Sequence, residues 1–333
     1  MDASGMTRPG LPLELYQPSV PLSVAFILTS VATFFGFGWL ASYVAGMDAP
    51  LWVRVLLVPP LLLAAQQGAH LTGWVGHEGI HLNLHRNRYV SIIVGCFTSA
   101  MSLFVAMGYG VSHWNHHRFT NQASDPDVAI YPELSRFWSR FFLARAVAQR
   151  GYTRAIIKIA LGRPLSFGYK FPFPARIQQA LAALNVAFLL GWLGAYTALA
   201  IYAPLTALFA IGLPLVLVMP FSGLRIYVEH AGTEIGIFRD SRSYVSPFYT
   251  VLFFGNNYHL EHHLYPTVPC YKLPAVHRIL KTRGYYDRWG SPIDATVVGP
   301  VVHTMAGSQY PGPLGTDLPE DPFRGPIHLR RNV

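Results

Sequence analysis

Residues 181–224 run for 44 positions without one charged side chain. No ordinary water-exposed element reads this way. The run is also too long for one bilayer crossing, which takes about 20 apolar residues. A break is available at the Tyr-Ala-Pro tripeptide, 202–204. Proline ends a helix and pushes the residue before it towards extended backbone. The run therefore predicts two membrane helices joined by a tight turn, at about 181–202 and 204–224.

Two earlier runs have the same character. Residues 20–46 are 27 positions without a charge, and 51–76 is nearly as apolar, broken by Arg54 near its start. The expected fold class is an all-α integral membrane protein with four transmembrane helices in two hairpins. Pro59 and Pro60 are expected to kink the second span, and Pro214 and Pro220 the fourth. The first run is too long for a signal-peptide core and follows a single basic residue, Arg8, so it reads as a retained span. Composition agrees. Charged residues are 12% of the chain and mean hydropathy is +0.31. The formal charge of +9 would suit a nucleic-acid binder, but the apolar runs exclude one, so the charge reads as topological. Two isolated cysteines, Cys96 and Cys270, make neither a disulfide framework nor an iron–sulfur site.

Orientation follows from the basic residues. Residues 77–180 hold 12 Lys and Arg, and the stretch from 225 onwards holds 11 more, whereas 47–50 and 202–204 hold none. Both termini and the middle segment are thus expected on the cytoplasmic side. Between the spans, the apolar stretch 89–109 is expected to be interfacial or re-entrant, and 137–160 to form one or two amphipathic interfacial helices. The chain divides into an N-terminal cytoplasmic segment 1–19, a membrane domain 20–290, and a Pro/Gly-rich tail 291–333 expected to be extended.

The 14 histidines concentrate beside the spans. His77 and His81 are four apart. His113, His116 and His117 form an i, i+3, i+4 set, and His259, His262 and His263 repeat it. Residues at these spacings share a helix face, so each set is expected to point its imidazoles towards metal. With His230 the candidates number nine. One tetrahedral zinc takes at most four ligands. Nine nitrogens suit two metals with four or five each, and two redox metals at the end of an apolar bundle suggest oxygen activation. The HEGIH stretch matches a zinc-protease pattern with Glu78 as base, but that reading leaves both HxxHH sets unused.

The three boxes, HxxxH at His77–His81 and HxxHH at His113–His117 and His259–His263, resemble the membrane fatty acid desaturase superfamily, which includes hydroxylases and ketolases. So do the flanks HHRFTNQASDPD and NNYHLEHHLYPTVPCYKLP. The resemblance covers about residues 20–290. It implies cytoplasmic interfacial helices carrying a histidine-rich di-iron site, with two iron ions (Fe2+/Fe3+) and O2 as co-substrate. It implies a further ligand after the fourth span, a role His230 fills. Histidine ligands need acceptors at the other ring nitrogen, and Asn121, Asp125, Asp127, Glu229, Asn257 and Glu261 are candidates. Asp125 and Asp127 also read as a simple turn. On a continuous helix His70 and His85 would share a face with His77 and His81, so His85 is expected in the second shell or at the interface.

The implied reaction removes hydrogen from an unactivated methylene. A second hydrogen removal gives an alkene; oxygen transfer gives an alcohol. The expected function is a membrane-bound di-iron oxidase desaturating a fatty acyl or similar lipid chain. The alternative is a hydroxylase of an alkyl, carotenoid or lipid substrate, and a remote one is a zinc-binding membrane receptor or hydrolase. The chain carries no haem, iron–sulfur or dinucleotide motif, so an external donor such as a ferredoxin, a rubredoxin or a haem protein is implied. The other expected partners are the acyl or lipid substrate and membrane lipids, with no nucleic acid. The expected location is a bacterial inner membrane.

Overall fold

The computed structural model describes residues 6–127, 134, 136–305, 315–318 and 324. Its first two helices, α1 (Val20–Gly46) and α2 (Leu51–Ile80), form a hairpin. Two shorter helices follow, α3 (Arg88–Ala100) and α4 (Ala106–Phe119), then α5 (Phe137–Ala160) and α6 (Ala175–Tyr202). A single turn, α7 (Pro204–Thr206), leads through a π-helical segment, Ala207–Gly212, into α8 (Leu213–His230). The remainder is β1 (Ser243–Tyr244), α9 (Pro247–Leu252), α10 (His259–Leu264), α11 (Leu273–Thr282), α12 (Tyr285–Trp289), β2 (Ile293–Asp294) and α13 (Val298–Met305).

Prolines mark where the long helices begin. Pro21 lies in the first turn of α1, Pro50 precedes α2, Pro174 precedes α6, and Pro204 opens α7. A first-turn proline costs nothing, because its missing N–H would have no partner there. Among the described residues, four segments are long and apolar enough to cross a membrane: α1, α2, α6 and Pro204–His230. Their outer faces are bare hydrocarbon. Leu28, Tyr43, Leu56, Leu190, Ile201 and Val216 are all exposed, which suits lipid rather than water.

The helices outrun the expected spans. The second was expected to end at 76; α2 instead continues to Ile80, and its 30 residues rise about 45 Å, well beyond a hydrocarbon core of about 30 Å. The fourth was expected to end at 224, yet α8 reaches His230. The added turns carry histidines past the apolar layer. Pro59, Pro60 and Pro220 lie inside helices that continue past them, and Pro214 follows the π-helical segment.

The 89–109 stretch makes two helices rather than one. At 13 residues, α3 rises only about 20 Å and cannot cross. The break falls at Leu103, whose φ is 54°. Helix α3 packs tightly on the histidine end of α2, with Gly79 against Gly95 and Gly76 against Ser99. Helix α5 is a single helix. It buries Arg140, Ala144, Ala148 and Tyr152 at four-residue steps and leaves Trp138, Phe142 and Val147 exposed.

The tail is not simply extended. Ile293–Asp294 pairs in parallel with Ser243–Tyr244, and α13 packs against α8. Arg324 is buried, with Nη1 2.6 Å from Asp240 Oδ2. The rest of the tail beyond 305, apart from 315–318, lies outside the described residues.

Helix α1 meets α2 most closely at Gly68, where a Cβ would collide with the backbone of Thr33 and Phe34. Gly68→Val should therefore overpack the hairpin and destabilise it by about 1–3 kcal/mol. A lower melting temperature of the detergent-solubilised protein is the expected readout; an unchanged one would contradict this packing.

Candidate metal centre

The centre is built from helix ends. His77 occupies the last turn of α2 and His81 caps it. The chain leaves through Leu82, at φ 64°, while the Asn83 amide donates to the Glu78 carbonyl at 2.9 Å. His113, His116 and His117 lie in α4, which ends before Asn121, also left-handed at φ 63°. His230 is the last residue of α8, and α10 carries His259, His262 and His263. All nine rings are buried.

They form two groups. The ligand atoms of His77, His81, His113, His117 and His262 lie within 4.8 Å of one another, as do those of His116, His230 and His263. His259 joins the second group through its Nε2, 2.9 Å from His230 Nε2. Each HxxHH set is thus divided between the two groups. Consecutive helical residues diverge by about 100°. His113 and His117, four apart, stay together while His116 turns to the other group. His262 and His263 divide in the same way.

The donor set fits metal. Both ring nitrogens of His81 and His262, and Nε2 of His263, are buried without a hydrogen-bond partner, a costly arrangement unless a cation takes the lone pairs. Elsewhere the Nε2 atoms converge: His77 to His113 is 3.0 Å, His113 to His117 is 3.0 Å, and His116 to His230 is 3.1 Å. An ion holding imidazole at about 2.1 Å sets ligands at right angles about 3.0 Å apart and tetrahedral ligands about 3.4 Å apart. Separations of this size suit imidazole nitrogens that would share an ion.

Protonation follows burial. The pKa values of His113, His117, His259, His262 and His263 are driven well below the ordinary imidazole range, first by desolvation and then by neighbouring rings or cations. Desolvation lowers His81 to about 3. These rings are neutral, as ligands must be. At His116 desolvation also opposes charge, but Asp125 and Asp127 outweigh it and raise the pKa to about 9. An ion binding its Nε2 displaces that proton.

The surrounding partners differ from the expected set. His116 Nδ1 lies 2.9 Å from Asp125 Oδ1 and 3.6 Å from Asp127 Oδ2. Asp125 also accepts the Asp127 and Asn121 amides, so it is both turn and ligand partner. Glu229 Oε2 is 3.7 Å from His259 Nε2, and Glu229 Oε1 accepts from Arg225 at 2.8 Å. The Asn121 amide side chain ties Thr233 and the Glu234 and Asp240 carbonyls together. Asn257 donates to the Tyr244 carbonyl. Glu261 faces away, accepting from Ser243 Oγ at 2.5 Å and Tyr286, with His277 Nδ1 2.5 Å away. His85 lies beyond the end of α2, where its Nδ1 accepts the Asn87 amide at 2.9 Å, so the shared-face argument does not reach it. His70 accepts from Trp74 Nε1 at 2.8 Å.

Four partners were not foreseen. Glu78 Oε1 is 3.2 Å from His77 Nδ1, and Oε2 accepts the Cys270 amide at 2.9 Å. The Asp240 carbonyl lies 2.9 Å from His230 Nδ1. Thr120 Oγ1 and Arg324 approach His263 Nδ1. Glu78 was legible beside His77; the other three depend on tertiary contacts.

A cavity of ≈ 230 Å³ opens on the two groups. His77, His113, His116, His230 and His259 form one wall, and Ala69, Leu215, Val218 and Met219 an apolar one.

Outer partners of metal-bound histidine are typically worth about 10–100-fold in metal affinity. Asp125→Ala should weaken metal at the His116 group by about that factor and spare the five-histidine group. Metal analysis after stepwise chelation checks this; equal retention at both positions would contradict it.

The comparisons with known proteins agree with this construction. No curated protein matches the chain. A family model described as fatty acid desaturase matches residues 50–291, from the start of α2 through α12. That stretch is most of the chain and contains all nine clustered histidines, so the chain belongs to the fatty acid desaturase family.

Proposed function

We propose that this protein is a di-iron oxidase that uses O2 and external electrons to desaturate a fatty acyl or similar lipid chain. The supporting observation is the meeting of two histidine groups with a partly apolar cavity between membrane helices. The proposed ligands are His77, His81, His113, His117 and His262 for one iron, and His116, His230, His259 and His263 for the other. Bound iron supplies, with O2, the oxidant needed for an unactivated C–H bond.

The chain's own residues do the rest. Asp125, Glu78 and the Asp240 carbonyl fix ring orientation through Nδ1 of His116, His77 and His230. The apolar wall of α8 receives the chain and excludes water, so that a methylene rather than solvent faces the histidines. Electrons come from a separate donor, steered by the basic side of the protein. That side and both termini are cytoplasmic in this reading, and the membrane is a bacterial inner membrane.

Expression in a host of known lipid profile should yield a product two hydrogens lighter than its precursor. His262→Ala should abolish it, and purified wild-type protein should hold about two irons. Loss of two hydrogens without added oxygen identifies desaturation; gain of one oxygen would replace this reading with the hydroxylase. One zinc and no iron would end both. Turnover should stop without an electron donor and resume with one, and undiminished turnover without any donor would refute the external-donor reading.

A further inference from the structure

The cavity wall holds a cation that the metal centre does not use. Arg145, on α5, lines the cavity with Gln149, one helical turn further on. Its guanidinium carbon lies 4.6 Å from the Phe104 ring centroid and 5.9 Å from that of Tyr152. Among the described residues its side chain makes no hydrogen bond and no ion pair. Aromatic contact holds a guanidinium in place yet leaves its N–H donors unspent. Gln149 is engaged, donating to the Leu103 carbonyl at 2.9 Å.

The other charges on the wall have partners. Glu229 is matched by Arg225 at 2.8 Å, and Asp127 lies 3.6 Å from His116 Nδ1. Arg145 has no direct ion pair among the described residues; its charge acts only at a distance, on the Asp127 carboxyl across the same cavity. A half-buried cation without a partner is unfavourable beside apolar walls, and five N–H donors in a planar fork suit a carboxylate or phosphate.

We infer that Arg145 anchors the oxygen-bearing, anionic end of an amphiphilic substrate, and so selects it against a neutral hydrocarbon. This rests on the cavity being the substrate site. The group bound carries carboxylate or phosphate oxygens; a free fatty acid and a phospholipid headgroup are the two sources. The histidine wall and Arg145 share one cavity, so the anchored end sets the register of the chain over the metals. The oxidised carbon is therefore counted from the polar end.

The test measures binding to the metal-loaded full chain in detergent without an electron donor, so that no turnover is needed. Radiolabelled palmitate, dipalmitoyl phosphatidylglycerol and hexadecanol are the probes. Arg145→Leu should weaken the anionic ligand that the wild type binds by about tenfold or more. It should leave hexadecanol unchanged, and Arg145→Lys should retain most of the affinity. Loss in the palmitate arm identifies a free carboxylate; loss in the phosphatidylglycerol arm alone identifies a headgroup phosphate. If the leucine variant also loses hexadecanol, Arg145→Gln, which keeps donors without charge, carries the same comparison. Equal anionic affinity in wild type and variants would overturn the anchor alone. Failure of the wild type to bind any of the three would overturn the cavity as the substrate site, and the anchor with it.

Discussion

Nine imidazole rings packed together at the end of a helical bundle cannot be held there by the hydrophobic effect. Each ring brings a nitrogen lone pair out of water, and several face one another at about 3 Å or have no partner at all. Such an arrangement is tolerable only around a cation, because unpaired buried polar atoms cost free energy in proportion to their number. The fold is organised around that demand. Helices α2 and α8 run long enough to deliver His77 and His230, and the shorter α4 and α10 bring three histidines each to the same point.

Local backbone serves the same end. Leu82 and Asn121 follow the first two histidine sets, and Phe254 precedes the third; all three are left-handed. For Leu and Phe that conformation is unfavourable and persists only where the surroundings over-determine it. Here it turns the chain sharply out of a helix, so that the next element can return across the site. Between α2 and α3 the crowding is relieved with small residues, Gly79 and Gly95 meeting where side chains would not fit.

Much of this was legible in the sequence. Charge-free runs of the right length located four spans, and histidine spacing located three boxes. What the sequence concealed was contact between distant residues. His277 lies outside the three boxes, yet with Tyr286 it holds Glu261 and so braces α10 from behind. Asp240 acts through its carbonyl, which no side-chain pattern announces. The tail seemed featureless because its order comes from pairing with Ser243–Tyr244 rather than from its own periodicity. The division of each HxxHH set was hidden for a different reason. Helical periodicity puts three rings on one broad face, but it does not say where two ions divide that face.

In the proposed two-ion reading, that division couples the two positions mechanically. A single peptide bond joins His116 to His117, and another joins His262 to His263, with the members of each pair facing different positions. An ion at one position immobilises α4 and α10, and those helices also present rings to the other. The first ion thus meets part of the entropic cost of seating the second, which is positive linkage between the sites. In that reading a second ion binds more tightly beside the first than it would alone, while each position keeps its own ligands and its own affinity.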